Sequence, residues 1–289
     1  MPCVPVLSGL VEPERRVAGR TIDRRRGIRM NMHGAGRRAV AAAVTAVGLC
    51  VAGGAAFAQQ AAPTAVTRDA KAMDALVAMG KYLRTLKSFS VHADTVTDEV
   101  LTTGQKLQFA GSVDYLVQTP SRFRADVRSD RRERRFIYDG KTVTMYAPRM
   151  QYYGTIAAPG TLGEVLVVAE QKYDIALPLA DLLLWGTDKS GIDDIKEAAY
   201  IGPAKVAGKA CDHYAFRQEG VDWQLWIQPG ARPLPCKIVI TTTAEPAQPQ
   251  YAALLTWNTA PKVDTGAFSF VPPKGTRKID IAPAAAATN

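Results

Sequence analysis

The residues that could carry out chemistry in this chain of 289 residues are few. Beyond residue 58 there are two histidines, His92 and His213, and their separation in sequence does not suggest a shared metal ion. His213 follows Asp212, but no serine is placed to complete a catalytic triad, so we interpret His213 as a hydrogen-bonded strand residue. The motifs H-E-x-x-H, G-x-S-x-G, C-x-x-C, the P-loop and G-x-G-x-x-G do not occur. The sequence therefore predicts a protein that is not an enzyme and that has neither a metal site nor a cofactor.

Two cysteines, Cys211 and Cys236, also remain beyond residue 58 and are 25 positions apart. An even number of cysteines in an exported chain favours a disulfide. If the two lie on strands that flank a third, they are two strand spacings of about 4.8 Å apart, which exceeds the reach of about 7 Å between Cα atoms. The bridge therefore requires that they meet beyond the end of the middle strand. We predict this disulfide, and two buried free thiols are the alternative.

The stretch that contains these cysteines predicts the element that positions them. Residues 211–243 contain three short runs in which apolar and polar side chains alternate, separated by a glycine turn and by a loop rich in proline and glycine. In the middle run Trp223, Leu225 and Ile227 alternate with polar residues. A period of two predicts strands, and consecutive strands separated by turns predict an antiparallel meander.

The first half of the chain predicts more of the same sheet. Alternation is clear in residues 106–118 and 122–128, and the pair Asp139-Gly140 between two further alternating runs is a strong signal for a β-hairpin. Before these strands, apolar residues recur every three or four positions from residue 67 to residue 86, which predicts an amphipathic helix. Further strands are predicted at residues 251–257 and 268–273.

Two apolar segments interrupt the strands. Residues 161–173 and 180–185 predict two short helices on either side of Pro178, and Thr161 can cap the first. Helices this apolar must be covered or must themselves cover an apolar surface, so we predict that they form a lid over the sheet. The residues assigned to the lid are Leu162, Val165, Leu166, Leu182, Leu183 and Trp185.

The positive charge of the chain is concentrated at its start. Residues 1–58 contain nine arginines and three acidic residues, which leaves 27 basic and 24 acidic residues beyond them. The formal charge of +9 for the whole chain therefore does not indicate a nucleic-acid partner. Seven arginines between residues 122 and 135 could form an anion-binding patch. Because Asp126, Asp130 and Glu133 partly neutralise them, we interpret them as the solvent face of two strands joined by a charged turn.

Residues 30–58 have the three parts of a secretory signal peptide. Its basic, apolar and cleavage regions are Arg37 and Arg38, then Ala39–Ala52, then Ala56, Phe57 and Ala58. We predict cleavage between Ala58 and Gln59 and export to the periplasm. A transmembrane anchor is disfavoured because the apolar run is short and rich in glycine and alanine, whereas a span needs about 20 strongly apolar residues. A lipid anchor at Cys50 is disfavoured because Leu49 is too bulky for the position before a lipidated cysteine.

The signal peptide sets the expected boundaries of the domain. Residues 1–29 precede a complete signal and have no apolar periodicity, so we interpret them as the product of a start codon assigned too far upstream. Residues 59–66 are predicted to be a flexible leader, residues 67–282 a single domain and residues 283–289 a disordered tail.

Several short motifs, in a fixed order, carry a family resemblance. They are Pro120-Ser121-Arg122-Phe123-Arg124, then Tyr138-Asp139-Gly140-Lys141-Thr142 with Tyr146-Ala147-Pro148, then Phe268-Ser269-Phe270-Val271-Pro272-Pro273-Lys274-Gly275. Through them residues 67–282 resemble the LolA/LolB class of periplasmic lipoprotein carriers, and in particular a bacterial family of predicted periplasmic proteins of unknown function that shares this fold. The resemblance implies an α+β fold, a curved antiparallel half-barrel (an unclosed β-barrel) with an N-terminal helix and a helical lid over an apolar cavity.

One position departs from the lipoprotein carriers. In those carriers an arginine before a strand-ending proline helps to hold the lid closed, whereas this chain has Thr119 at that position. The resemblance therefore does not imply the same lock on the lid here.

The resemblance and the apolar lid together predict a non-enzymatic periplasmic binding protein that holds a lipid, an acyl chain or a lipidated peptide. The cavity wall is assigned to Val113, Tyr115, Val117, Phe123, Val143, Met145, Trp223, Leu225 and Ile227. The predicted partners are an apolar lipid-like ligand or a lipidated protein, and a periplasmic or membrane-bound protein, with the domain itself a monomer. The alternative is a periplasmic sensor or scaffold that docks a partner protein on the same face.

Overall fold

The structure is a computed structural model and describes residues 68–158 and 160–284. The predicted signal peptide with its cleavage site between Ala58 and Gln59, the segment 1–29 and the leader 59–66 lie outside the described residues. The tail from residue 285 onward also lies outside them. The helices and strands given below therefore all belong to the predicted domain.

Three α-helices and twelve β-strands make up the described part of the chain. The helices are α1 Ala70–Thr85, α2 Leu162–Tyr173 and α3 Asp181–Leu184. The strands are β1 Ser88–Val100, β2 Lys106–Gln118, β3 Arg122–Ser129, β4 Glu133–Tyr138, β5 Thr142–Ala147, β6 Tyr152–Ala157, β7 Glu197–Val206, β8 Lys209–Gln218, β9 Val221–Ile227, β10 Pro235–Thr242, β11 Gln250–Asn258 and β12 Arg277–Lys278. The amphipathic helix, the Asp139-Gly140 hairpin and both lid helices form where the sequence predicts them.

All twelve strands belong to one sheet, in the order β12-β6-β5-β4-β3-β2-β1-β11-β10-β9-β8-β7. Two meanders, β1 to β6 and β7 to β11, meet where β1 pairs antiparallel with β11. Every strand pairing in the described residues is antiparallel except the one between β12 and β6. Because β7 and β12 are the two ends of this order, the sheet is unclosed. The predicted α+β fold, an unclosed antiparallel half-barrel with an N-terminal helix and a helical lid, is confirmed.

Alternation of burial along the strands distinguishes the two faces of the sheet. On β9, Trp223, Leu225 and Ile227 are buried, and the residues between them are only partly buried. Leu225 is opposite Ile238 on β10 and Tyr214 on β8, so the buried side chains form rows that continue from strand to strand. The buried side chains of the three helices belong to the same apolar cluster as these rows. The face that the helices cover is termed the inner face.

The C-terminal part differs from the sequence prediction. The run at residues 268–273 is not a strand. The ring of Phe270 packs on Tyr146 and Tyr153 with centroid distances of 5.4 and 5.2 Å. Pro272 and Pro273 lack the N–H groups that a strand ladder requires. The chain instead forms the two-residue strand β12, which pairs in parallel with β6.

The predicted disulfide joins Cys211 and Cys236, whose Cα atoms are 7.1 Å apart. Cys211 directly precedes Asp212, the residue that is opposite Ile227 at the end of β9. Cys236 lies at an irregularity in the pairing of β10 with β9. The two cysteines therefore meet beyond the end of the strand that separates them, which is the geometry that the sequence argument requires.

Candidate functional site

The inner face is the candidate site because it brings the predicted cavity residues together. Eight of the nine are at most 3% exposed and belong to one apolar cluster. These eight are Val113, Tyr115, Val117, Phe123, Val143, Trp223, Leu225 and Ile227. The ninth, Met145, is half-buried and packs against the same cluster. They come from β2, β3, β5 and β9, so both meanders contribute to the face.

The predicted lid lies directly on this face. Its six assigned residues, Leu162, Val165, Leu166, Leu182, Leu183 and Trp185, are all buried in the cluster that contains the cavity residues. The rings of Trp185 and Trp223 stack with their centroids 6.3 Å apart. In this closed arrangement, lid side chains occupy the position in which an apolar ligand is predicted to bind.

Local capping explains where the first lid helix begins and ends. The Thr161 hydroxyl accepts a hydrogen bond from the backbone N–H of Glu164, and the Glu164 carboxylate in turn accepts one from the Thr161 backbone N–H, both at 3.3 Å. This reciprocal pair is a capping box, so Thr161 has the capping role that the sequence predicts. The helix ends at Tyr173, and the next residue, Asp174, caps it in a left-handed backbone conformation with φ 55°.

Hydrogen bonds connect the lid to the sheet at two places. The backbone N–H of Leu162 donates to the carbonyl oxygen of Pro120 at 3.1 Å. The hydroxyl of Tyr115 donates to the carbonyl oxygen of Pro178 at 2.7 Å. One bond anchors the start of the lid at the turn after β2, and the other anchors the connection between α2 and α3 near the centre of the inner face.

Arg84 in the last turn of α1 holds the second lid helix. Its Nη1 donates to the carbonyl oxygen of Leu183 at 2.8 Å and its Nη2 to that of Leu182 at 2.9 Å. Carbonyl groups at the end of a short helix have no partner within the helix, so the guanidinium supplies the bonds that they lack. Sequence reasoning missed this residue. Its position in the last turn of a helix that must pack beside the lid is the signal that could have found it.

The side chain of Thr119, unlike that of Arg84, bonds to the segment before β1. Its hydroxyl lies 3.1 Å from the carbonyl oxygens of both Leu86 and Lys87, in the connection between α1 and β1. The side chain therefore stabilises the chain before β1. The bonds from Arg84 attach the lid to α1.

The C-terminal segment also contacts the lid. Beyond β12, Ile281 packs on the inner side of Gly154 so closely that a Cβ at Gly154 would lie 2.5 Å from its side chain. The backbone N–H of Ala284 donates to the carbonyl oxygen of Lys172 near the end of α2, at 2.8 Å. The C-terminal segment therefore runs from the edge of the sheet to the first lid helix.

A small group of ionisable side chains lies in the lid and on the sheet beneath it. Burial raises the pKa of Asp181 to about 7, and the nearby Glu170 adds to this rise. Burial also raises the pKa of Glu170, with a further contribution from Asp174. Burial raises the pKa of Tyr115, as do the neighbouring Tyr251 and Asp181. Burial shifts each of these groups towards its uncharged form, which suits an otherwise apolar site.

Several arginines of the cluster are paired with carboxylates. Arg124 and Arg135 both bind Asp126, the first at 2.7 Å. Arg128 binds Asp114 at 2.9 Å. This pairing favours the interpretation of the cluster as a solvated strand face over an anion-binding patch.

His213 is a hydrogen-bonded strand residue, as predicted. Its Nε2 lies 3.0 Å from Oε1 of Gln224, and its ring stacks on that of Trp226 with a centroid distance of 4.0 Å. Burial lowers the pKa of His213. The imidazole has partners on neighbouring strand positions and faces away from the inner face.

Within 68–158 and 160–284, no group of three or more His, Cys, Asp or Glu side chains is arranged to hold a metal ion. In the same residues, no helix has both the length and the apolar character required to cross a membrane.

Three of the solved structures that match this chain come from bacteria. LprF from Mycobacterium bovis is 16% identical, with 70% of this chain and 100% of that chain covered and a TM-score of 0.43. The lipoprotein LppX from Mycobacterium tuberculosis is 10% identical, with 68% and 100% covered and a TM-score of 0.43. A LolA superfamily protein from Nitrosomonas europaea is 9% identical, with 69% and 97% covered and a TM-score of 0.33.

No curated protein matches the chain significantly. A family match is found across most of the domain, and its description gives the periplasmic location that the signal peptide predicts. Residues 72–282 match the family described as predicted periplasmic protein (DUF2092), and the chain belongs to that family.

Proposed function

We propose that this protein is a non-enzymatic periplasmic binding protein that holds the acyl chain of a lipid or of a lipidated peptide between the inner face and the lid. The observation that supports this most directly is the contact between six apolar lid residues and the apolar inner face of an unclosed sheet. An acyl chain offers the inner face the same kind of surface as the lid does. A ligand could therefore replace lid side chains without exposing the sheet to water.

The way in which the lid is attached supports its displacement. Most of the contact is apolar and non-directional, and that stabilisation is retained when another apolar group takes the place of the lid. The hydrogen bonds from Leu162 and Tyr115 are directional, but each contributes only about 0.5–1.5 kcal/mol net. After α3, Gly186 and Gly191 have positive φ angles of 81° and 62°, a backbone conformation that glycine adopts without strain.

The alternative role, a sensor or scaffold, uses the same surface. The lid covers the inner face in this structure, so a partner protein that docks there must displace the lid as a ligand must. Both functions therefore require the lid to be displaced, and they differ in whether a ligand or a partner protein then occupies the inner face.

Native mass spectrometry of protein purified from the periplasm tests the proposal. We expect a bound lipid and, after its removal, uptake of the uncharged dye Nile red with increased fluorescence. The variant Arg84→Met, which loses both bonds to α3, should take up the dye faster than the wild type. If the protein carries no lipid and neither form takes up the dye, the inner face is a packed core and the binding function is wrong. A stable protein partner without lipid would instead support the scaffold.

A further inference from the structure

A buried hydroxyl without a partner lies on the inner face. Tyr251, near the start of β11, is 6% exposed and is opposite Thr97 on β1 and Ile240 on β10. Its hydroxyl oxygen has no hydrogen-bond partner among the described residues. Buried polar groups in proteins are nearly always hydrogen-bonded, because a group that loses its water on burial and gains no other partner destabilises the fold. The Tyr251 hydroxyl is therefore available to a molecule that enters beneath the lid.

The hydroxyl of the neighbouring Tyr115, by contrast, has a hydrogen-bond partner. Its hydroxyl donates to the carbonyl oxygen of Pro178 in the lid at 2.7 Å. Tyr251 is close enough to Tyr115 to influence its ionisation. Two hydroxyl groups thus lie near each other beneath the lid, and only that of Tyr115 bonds to the lid.

The surroundings of the Tyr251 hydroxyl are apolar. Tyr251 belongs to the apolar cluster that the lid covers, and burial is what raises the pKa of its hydroxyl. A carboxylate or phosphate placed here would lose its water without a cation to pair with, which is costly. An uncharged oxygen could accept a hydrogen bond from Tyr251 without that cost.

We propose that the Tyr251 hydroxyl binds the uncharged polar part of an amphiphile, an ester carbonyl or hydroxyl oxygen, while the acyl chain lies along the inner face. This inference rests on the proposed function and narrows its ligand class. The ligand is a neutral acyl ester such as an acylglycerol, and a free fatty acid or a phosphate-bearing lipid binds more weakly.

Three amphiphiles with the same chain length test the ligand class at pH 8, namely 1-lauroylglycerol, laurate and dodecylammonium. Displacement of Nile red gives the dissociation constant of each. We expect 1-lauroylglycerol to bind at least about tenfold more tightly than laurate, a difference that one hydrogen bond and the desolvation of one carboxylate can supply. Tighter binding of laurate or of dodecylammonium would show that charge selects the ligand and would overturn the inference.

The variant Tyr251→Phe tests the residue. It should weaken binding of 1-lauroylglycerol about five- to tenfold, because one hydrogen bond is lost. The matched control is Tyr214→Phe on β8, another buried tyrosine of the inner face, whose pKa is raised by burial and, to a smaller extent, by Asp212, Tyr200 and Asp69. The control should bind 1-lauroylglycerol like the wild type, and circular dichroism should show that both variants are folded.

The outcomes separate this inference from the proposed function. If Nile red binds but Tyr251→Phe has the same affinity for 1-lauroylglycerol as the wild type, the assignment of Tyr251 is wrong and the binding function stands. If the wild type binds neither Nile red nor any of the three amphiphiles, the binding function is wrong and this inference falls with it.

Discussion

The backbone of Gly80 in α1 lies directly against that of Gly186, two residues after the end of α3. A Cβ added at Gly80 would be 2.7 Å from the backbone nitrogen of Gly186, closer than real Cβ atoms approach. Gly186 also has a φ angle of 81°, which side chains other than glycine rarely adopt. The lid can therefore close against α1 only because neither position has a side chain.

Replacing Gly80 with alanine should loosen the lid. The added methyl group would push the backbone at Gly186 away, at a cost of about 1–3 kcal/mol, whereas the gain in helix propensity is only about 1 kcal/mol. We expect a lower free energy of unfolding in urea and faster uptake of Nile red.

The control for this prediction is Gly163→Ala in α2. A Cβ there would meet the side chains of Lys189 and Leu184 at 3.6 and 3.8 Å, which are ordinary contacts. Gly163→Ala should leave the free energy of unfolding unchanged or raise it by up to about 1 kcal/mol. Equal effects of the two substitutions would contradict the role given to the contact between Gly80 and Gly186.

Replacing Arg84 with methionine should free the second lid helix while keeping the apolar stem of the side chain. The variant loses both bonds to the carbonyl oxygens of Leu182 and Leu183, which should lower the free energy of unfolding by about 1–3 kcal/mol. Hydrogen–deuterium exchange should show faster exchange in residues 180–187 and little change in β9. Arg84→Lys keeps the charge but not the planar fork, so it should recover only part of the protection. Full protection in Arg84→Met would show that apolar packing alone holds the helix.

The sequence predicts those parts of the fold that depend on neighbouring residues. The strand β9 is visible because one of its faces is covered, and the hairpin at Asp139-Gly140 is visible because few residue pairs form such a turn. The pairing of β1 with β11 joins two meanders that are far apart in sequence, and no local pattern specifies it. The site follows the same division. Alternation places the apolar residues on the inner face, but the clamp at Arg84 and the unpartnered hydroxyl of Tyr251 depend on tertiary contacts alone.

Removing the disulfide should lower stability and leave ligand binding intact. The bridge joins residues 25 positions apart, and the loss of loop closure in the unfolded chain corresponds to about 3 kcal/mol. Cys211 and Cys236 pack with Val206 in a separate apolar cluster, apart from the one that contains the lid. The double variant Cys211→Ala, Cys236→Ala should therefore unfold at lower urea concentration and bind Nile red like the wild type. Wild-type protein treated with a reductant should match it, and loss of dye binding in both would argue against the separation of the two clusters.

Two tyrosine substitutions should differ in their effect on the ligand-free protein. Tyr115→Phe removes a bond and leaves the carbonyl of Pro178 unpaired, so it should lower the free energy of unfolding by about 0.5–1.5 kcal/mol or slightly more. Tyr251→Phe removes a hydroxyl that has no partner, so it should leave stability unchanged or raise it. Thermal unfolding of both variants at one pH measures the difference. Equal losses would show that the Tyr251 hydroxyl is bonded in solution.

Asp181 should make the protein less stable as the pH rises towards 8. Burial raises the pKa of this lid residue to about 7 in the folded protein, compared with about 3.9 in an unfolded chain. Between these values the folded state binds more protons than the unfolded state, so the free energy of unfolding falls as the pH rises, and the whole penalty is present above about pH 7. Asp98 and Asp139 have lowered pKa values and act in the opposite sense, at more acidic pH.

The variant Asp181→Asn isolates this effect. Because Asp181 is partly exposed, we expect a gain of only about 1–2 kcal/mol over the wild type at pH 8, shrinking to nothing near pH 4. Urea denaturation at several pH values measures how the free energy of unfolding of the wild type and of the variant changes with pH. Asp188→Asn is the control, since that side chain follows α3 closely but is 85% exposed, and its stability should depend on pH as that of the wild type does.

Because Asp181 lies in the lid, ionisation of its carboxyl group should also favour the open lid. Nile red uptake by the wild type should therefore quicken between pH 6 and pH 8, while that of Asp181→Asn stays constant. If the free energy of unfolding of Asp181→Asn depends on pH as that of the wild type does, the Asp181 carboxyl group is solvated in the closed protein and the lid does not respond to its charge.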